Sequence, residues 1–249
     1  MLTESEIQET LFSMHIKCSP GELEQMMRFL ELITKQNTRA NITGTKEKEK
    51  ILNRHFFDCL SAYSYFIDGQ KNKRVTRTLL DIGSGGGLPG ILLSIFIKDY
   101  SVYLLDSRKK ATDFLEETIK ILGLGNTHVI SGRAEEIAHD PGYREKFDLV
   151  TARAVSKTII LAELSLPFCK IGGKVMFYKS RKSLEEIKEA EDTINILGGK
   201  IENIYKISTP FLKEYRALIV LKKVSSSLYK YPRKYAKMIK TPLIVHKSF

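Results

Sequence analysis

The sequence predicts an α/β fold: a doubly wound, seven-stranded, mostly parallel sheet behind an N-terminal helical cap. Three observations carry this. From about Arg77 onward, short apolar runs alternate with helical stretches, the pattern of a parallel sheet covered on both faces. The first apolar run passes into a glycine-rich loop, Gly83-Ser84-Gly85-Gly86-Gly87-Leu88-Pro89-Gly90, and then into the apolar helix 91–97. At 249 residues the chain accommodates one such domain and a small appendage, not two large domains.

Taken in order, residues 1–70 read as the cap, 71–224 as the sheet domain and 225–249 as a basic tail. Thr3 and Glu6 have capping-box spacing ahead of Ile7, Leu11 and Met14. Ser19-Pro20-Gly21-Glu22 starts a second helix with Ser as N-cap and Pro at the first helical position, and Leu23, Met26, Met27, Leu30 and Ile33 mark its apolar face. Continuity breaks between Asn37 and Thr45. A third helix with Ile51, Leu52, Phe56, Cys59, Leu60 and Tyr63 inward then precedes the turn-like Asp68-Gly69. The expected strands are 78–82, 102–106, 128–131, 147–151, 174–179, 200–207 and 215–221, the last two forming an antiparallel pair. No internal repeat or low-complexity segment interrupts them.

Composition bounds the setting. Hydrophobic residues make up 43% and charged residues 28%, and no stretch approaches the ~20 apolar residues of a membrane span. The start, MLTESEIQET, carries acids where a secretory signal needs basic residues and then an apolar run, so a cytoplasmic protein is expected. Cys18, Cys59 and Cys169 are odd in number and widely spaced, which predicts free thiols and neither disulfides nor a metal site. Of the +11 net charge, nine positive charges lie in residues 215–249, which contain no acid: Arg216, Lys222, Lys223, Lys230, Arg233, Lys234, Lys237, Lys240 and Lys247. Interleaved with Tyr229, Tyr231 and Tyr235, they suit a polyanion, with cations on phosphates and rings on bases. A solvated surface run and a membrane-surface contact are the competing readings.

The glycine loop, Asp81-Ile82-Gly83-Ser84-Gly85-Gly86-Gly87-Leu88-Pro89-Gly90, even satisfies the G-x-G-x-x-G dinucleotide pattern at Gly85, Gly87 and Gly90. Asp81 separates two cofactors. A dinucleotide sets its pyrophosphate at this turn, where a carboxylate repels it, whereas S-adenosylmethionine has no phosphate and carries an ammonium and a sulfonium. Asp106 ends the next strand nineteen residues after Gly87, placed to accept both ribose hydroxyls. A P-loop is excluded, because no Gly-Lys-Ser/Thr follows. After the third strand, Ser131-Gly132-Arg133-Ala134-Glu135 faces the same crevice, and after the fourth so does Arg153, the one candidate for catalytic positioning, which could instead serve a salt bridge to a helix end. His55 and Asp58, three apart on one helical face, are placed to touch each other or a substrate base. Lys109-Lys110 are either a solvated helix start or a phosphate contact at the crevice rim.

These motifs together resemble the 16S rRNA guanine-N7 methyltransferase family, the GidB proteins, over essentially the whole chain. Asn41-Ile42-Thr43 resembles the family's N-L-T, His55 with Asp58-Cys59-Leu60 its H-x-x-D-S-L, and Asp81 to Gly90 its D-I-G-S-G-A-G-F-P-G. Asp106-Ser107 with Lys109-Lys110, then Phe114-Leu115, Ala134-Glu135, Arg153-Ala154, Lys179 and Tyr231-Pro232-Arg233 follow in the family's order. The departures are Gly86 for Ala, Leu88 for Phe and Cys59 for Ser. The resemblance implies the class I, Rossmann-like methyltransferase fold and cofactor binding by Gly83, Leu88, Ala134, Glu135 and Arg153, beside Asp81, Gly85, Gly87 and Asp106. It also implies transfer to N7 of a guanine in 16S rRNA, the one conventionally numbered 527. A monomer acting on 16S rRNA within the 30S subunit or its precursor is the expected setting. Lys109, Lys110, Lys179, Arg216, Arg233 and Lys234 are the expected RNA contacts.

Guanine N7 offers an in-plane lone pair and bears no proton, so attack on a sulfonium methyl needs positioning and electrostatics but no general base. Consistently, the fourth strand ends in Thr151-Ala152-Arg153-Ala154 and not in the Asn/Asp-Pro-Pro-Tyr suited to an exocyclic amine, and no Pro-Cys suggests a covalent nucleophile. Two rivals stay open at this level: a nucleotide-dependent oxidoreductase, and an assembly factor that binds the cofactor without transferring its methyl.

Overall fold

The computed structural model describes residues 2–37, 45–67, 76–153, 156–180, 185–208, 211 and 216–243. Asn41-Ile42-Thr43, Asp68-Gly69, Ala154, Tyr215 and Lys247 lie outside them. Helix α1 (Glu4–Ser13) opens with a reciprocal cap, the Thr3 hydroxyl accepting from the Glu6 N–H at 3.3 Å and the Glu6 carboxylate from the Thr3 N–H at 2.7 Å. Ser19 and Glu22 repeat the arrangement ahead of α2 (Pro20–Asn37), so first-turn donors that would otherwise be orphaned are satisfied at both starts.

The single helix expected through Ile51 and Tyr63 is instead broken. Helix α3 (Lys48–Ile51) enters a π-helical turn at Leu52–Phe56, then α4 (Phe57–Leu60) and α5 (Tyr63–Ile67) follow. Within the turn the Phe57 N–H donates to the Leu52 carbonyl, five residues back. Adjacent Phe56 and Phe57 are both fully buried, whereas neighbours on a regular helix point about 100° apart, so the wider turn reconciles two consecutive core residues. Phe56 stacks on Phe29 of α2 with ring centroids 5.1 Å apart.

All seven expected strands are present: β1 (Arg77–Ile82), β2 (Tyr100–Asp106), β3 (Thr127–Ser131), β4 (Phe147–Arg153), β5 (Cys169–Ser180), β6 (Gly199–Ile207) and β7 (Arg216–Lys223). They form one sheet in the order β3-β2-β1-β4-β5-β7-β6. The first five run parallel, and β7 pairs antiparallel with both β5 and β6. Strand β5 begins five residues before its expected start because its pairing to β4 shifts register at the Gly172-Gly173 segment, which interrupts the apolar pattern. Helices α6 (Gly90–Phe96), α7 (Lys109–Leu122), α8 (Ala134–Ile137), α9 (Thr158–Ser165) and α10 (Glu185–Ile196) fill the connections, and α11 (Tyr235–Lys240) follows the sheet.

Strand side chains alternate between two cores. Leu79, Leu104, Leu149, Met176 and Leu218 pack with the N-terminal helices, α6 and α7, while Leu80, Leu105, Val150, Phe177 and Ile219 pack with α9, α10 and Met238 of α11. The period of two places Asp81 on the same face as Leu79, beneath the cap. Strand order reverses between β1 and β4, and in an open α/β sheet the binding crevice forms beyond the carboxyl ends of the strands at such a switch point. Among the described residues no helix is long and apolar enough to cross a membrane.

Candidate cofactor and RNA site

The loop after β1 is drawn tightly over the strand ends. Gly83 and Ser84 donate their N–H groups to the Leu105 carbonyl at 2.8 and 3.1 Å, and Gly87 donates to the Ser84 carbonyl at 2.7 Å. Gly87 sits at φ +86°, where a Cβ would also collide with Ile91, so only glycine fits. At Gly90 an added Cβ would strike Leu104 and lie 2.8 Å from the Asp81 Oδ2. That close approach lets the Gly90 N–H donate to Asp81 Oδ2 at 3.1 Å, so one carboxylate oxygen ties the start of α6 to β1.

The second oxygen, Asp81 Oδ1, is buried and has no hydrogen-bond donor among the described residues. Burial pushes the Asp81 carboxyl up to about 7 from an ordinary 3.8, opposed by Ser84, the Gly90 N–H and the nearby Arg153 charge. A buried acceptor lacking a donor, at the switch point and beneath a glycine loop, suits an ammonium and disfavours a phosphate. This orphaned acceptor therefore fits the amino end of S-adenosylmethionine, which donates. Asp106, at the end of β2, accepts from the Gly85 N–H at 2.9 Å, the Arg108 N–H at 2.9 Å and the Arg108 guanidinium at 3.2 Å. Burial alone would raise its carboxyl, but these donors outweigh burial and hold it below the usual range. Leu88, within the loop, is buried in the core shared with the N-terminal helices and α6. Gly132 links the next strand to the site by donating to the Asp106 carbonyl at 3.1 Å, and half-buried Ala134 and Glu135 form the first turn of α8.

Arg153, at the end of β4, is not a free loop residue. Its Nε and Nη2 donate to Asp58 Oδ2 at 3.2 and 3.0 Å, and Nη2 also donates to His55 Nδ1 at 3.0 Å. Asp58 Oδ1 meanwhile accepts from Arg216 Nε at 3.1 Å. One carboxylate, its side chain 4% exposed, thus clamps two guanidinium groups drawn from β4 and β7. His55 lies inside the π-helical turn and Asp58 just after it, so the irregular helix delivers both to the strand ends. Sequence spacing places His55 and Asp58 on a common face and Arg153 in the crevice, but it does not join them. The one local signal is that Asp58 stands as a lone acid among Phe56, Phe57, Cys59 and Leu60.

The six basic residues read as RNA contacts fall into two groups. Lys109, Lys110 and Lys234 are exposed, although Lys109 pairs with Asp113 along α7. Lys179, Arg216 and Arg233 form ion pairs inside the fold. Lys179 is nearly buried and donates to the Ser156 carbonyl at 2.7 Å and to Glu186 at 3.1 Å, while Glu186 also caps Thr158 at the start of α9. Arg233 grips Glu163 through Nε at 2.8 Å, Nη2 at 2.7 Å and its backbone N–H at 2.9 Å. Arg144 further secures this segment by donating to the carbonyls of Ser227, Leu228 and Tyr231. The described part of the basic tail is therefore a docked segment whose charges at Lys230, Lys234, Lys237 and Lys240 face outward.

Removing the Arg233 anchor is expected to cost about 3–5 kcal/mol, because Glu163 is 1% exposed and would be left without its only charge partner among the described residues. Chemical denaturation of Arg233→Ala checks this; a change under about 1 kcal/mol would reassign the pair to the solvated surface.

With this geometry in place, comparison with known proteins decides the family. A model of the GidB family, described as rRNA small subunit methyltransferase G, matches residues 22–222. The chain belongs to this family. Ribosomal RNA small subunit methyltransferase G of Lachnoclostridium phytofermentans is 42% identical over 94% of this chain and 95% of its own length. The Leuconostoc mesenteroides protein of the same name is 34% identical over 97% of this chain and its own full length. Among solved structures, a SAM-dependent methyltransferase from Aquifex aeolicus superposes with a TM-score of 0.51 at 17% identity, over 70% of this chain and 93% of that one. A putative S-adenosyl-L-methionine-dependent methyltransferase from Methanococcus maripaludis gives 0.51 at 18%, over 72% and 90%. At such identities these structures establish the fold alone, and they agree with the Rossmann-like methyltransferase architecture expected of the family.

Proposed function

We propose that this chain transfers a methyl group from S-adenosylmethionine to N7 of a guanine in 16S rRNA, the one conventionally numbered 527, as a cytoplasmic monomer acting on the 30S subunit or its precursor. The observation that carries the proposal is the family match over residues 22–222, which spans the switch point where Asp81, Asp106 and Arg153 converge.

Asp81 Oδ1 would accept from the cofactor's ammonium, and Asp106 from its ribose hydroxyls. The loop at Gly83, Gly85 and Gly87 brings backbone close to the ligand, Leu88 closes it from beneath, and Ala134 and Glu135 border the adenine. Bound there, the cofactor supplies a methyl group made electrophilic by its sulfonium. The chain's own work is to hold the guanine plane so that the N7 lone pair meets that methyl in line. Arg153 is fixed at the crevice by Asp58 and His55 and serves as the positioning group, with its charge available to guanine O6 beside N7. No side chain has to remove a proton, since N7 has none.

RNA affinity is assigned to the outward charges: Lys109 and Lys110 at the crevice rim, and Lys230, Lys234 and Lys237 on the docked tail. Changing these three tail lysines to Gln, with Arg233 kept to hold the segment in place, should flatten the plot of log affinity against log salt by roughly 0.7 for each phosphate that a lysine neutralises. Cofactor affinity and the modified position should not change, because phosphate contacts set register and base contacts choose the base. An unaltered slope would leave Lys109 and Lys110 as the phosphate contacts.

The proposal as a whole is tested by mapping methylated nucleotides in 16S rRNA from cells with and without the protein. Loss of one N7-methylguanine without it is the expected result. An unchanged map, or binding of a nicotinamide dinucleotide in preference to S-adenosylmethionine, would refute it.

A further inference from the structure

The ribose carboxylate is already covered by a side chain of this protein. A carboxylate has about four lone-pair positions. Asp106 uses all of them: Oδ1 for the Arg108 N–H and Nε, and Oδ2 for the Gly85 N–H and Arg108 Nη2. Two of these donors are backbone groups fixed by the β2 end and the glycine loop. The other two belong to a guanidinium whose side chain is 70% exposed, over a carboxylate that is 5% exposed. The guanidinium also lies across the loop itself, since a Cβ added at Gly85 would come within 3.3 Å of Arg108 Nη2. Ribose hydroxyls cannot reach Asp106 while Nε and Nη2 are in place.

We propose that Arg108 is a displaceable latch: the cofactor's ribose replaces its guanidinium on Asp106, and the freed guanidinium then contacts an RNA phosphate beside Lys109 and Lys110. The proposal rests on the reading of Asp106 as the ribose acceptor. Residues 108–110 are three consecutive exposed cations leading into α7, but two are neutralised locally, Arg108 by Asp106 and Lys109 by Asp113. Releasing Arg108 raises the positive charge presented at the crevice rim only when cofactor is bound. RNA therefore binds more tightly to the loaded protein, and by thermodynamic reciprocity RNA tightens the cofactor equally. The latch also keeps a buried-edge carboxylate paired when no ribose is present, which avoids an uncompensated charge.

Full-length protein and an Arg108→Met variant, which keeps the aliphatic bulk and removes the charge, are compared using S-adenosylhomocysteine, so that no methyl is transferred. An exposed ion pair contributes up to about 1 kcal/mol, so calorimetry should find the variant binding roughly two- to fivefold more tightly than wild type. For binding of the protein to 30S particles, S-adenosylhomocysteine should steepen the wild-type salt dependence by about one phosphate contact, a slope change near 0.7, and leave the variant's slope unchanged. Equal or weaker cofactor binding by Arg108→Met, or a wild-type slope indifferent to S-adenosylhomocysteine, would overturn the latch while leaving the site assignment intact. A wild-type protein with no affinity for S-adenosylhomocysteine would overturn the site assignment and the latch together.

Discussion

Replacing Asp58 with alanine is expected to destabilise the fold by about 3–5 kcal/mol and to abolish methyl transfer, the largest effect of any single change at the site. Arg153 and Arg216 both end on this one carboxylate, and the Arg153 side chain is only 15% exposed, so deletion strands a guanidinium away from water. For a chain of this length such a destabilisation lowers Tm by roughly 10 °C or more. Asp58→Asn, which keeps one acceptor oxygen, should give up less stability while still releasing one of the two arginines. The paired measurement separates structure from function: Asp58→Asn, assayed at a temperature where it is folded, should bind cofactor but transfer poorly. Wild-type stability and turnover in Asp58→Ala would mean that the three residues do not act as a unit.

The second large effect is a pH dependence of cofactor binding centred on Asp81. Its carboxyl is raised to about 7, so the fold favours its protonated form. The stability this group contributes is therefore full below the ordinary value of 3.8 and is lost as pH rises through about 7. Holding an ammonium requires the ionised form, so cofactor affinity moves the opposite way. It should rise about fifteenfold from pH 5.5 to pH 7, and about one proton should be released per cofactor bound at the acid end. Above about pH 8 affinity should fall again as the ligand's own α-amino group deprotonates. Asp81→Asn retains an acceptor for the Gly90 N–H, so it should fold, bind about tenfold to a hundredfold more weakly, and lack the acid limb. Calorimetry in buffers of different ionisation enthalpy reads both the affinity and the proton. An acid limb preserved in Asp81→Asn would assign the titration elsewhere and remove Asp81 from the cofactor's amino end.

The strands and the glycine loop were legible because they are local. Short continuous apolar runs around Leu79-Leu80, Leu104-Leu105 and Leu218-Ile219 need only neighbours, and the short loop forces its glycines by its own geometry. The cap starts were legible for the same reason, since Thr3 with Glu6 and Ser19 with Glu22 lie three residues apart. What escaped was long-range pairing. Arg153 lies 95 residues from Asp58, Arg216 lies 158 from it, and Arg233 lies 70 from Glu163, so no period or spacing connects them. A run of basic residues reads as solvated charge unless its buried partner is noticed. Glu163, the only acid of the otherwise largely apolar α9, was the available signal. The π-helical turn escaped because a single inserted residue leaves the apolar pattern of α3 and α4 nearly helical.

Transfer to guanine N7 at one position of 16S rRNA can be read out in vitro. Purified protein is incubated with S-adenosylmethionine carrying a labelled methyl group and with 30S particles from cells lacking the activity. The rRNA is then cleaved by borohydride and aniline, which act at N7-methylated guanines. One methyl per particle at saturation and a single cleavage at the guanine numbered 527 are expected, with both absent for Arg153→Ala protein confirmed to be folded. Label that enters the rRNA without any aniline-sensitive site, or cleavage at a different guanine, would contradict it.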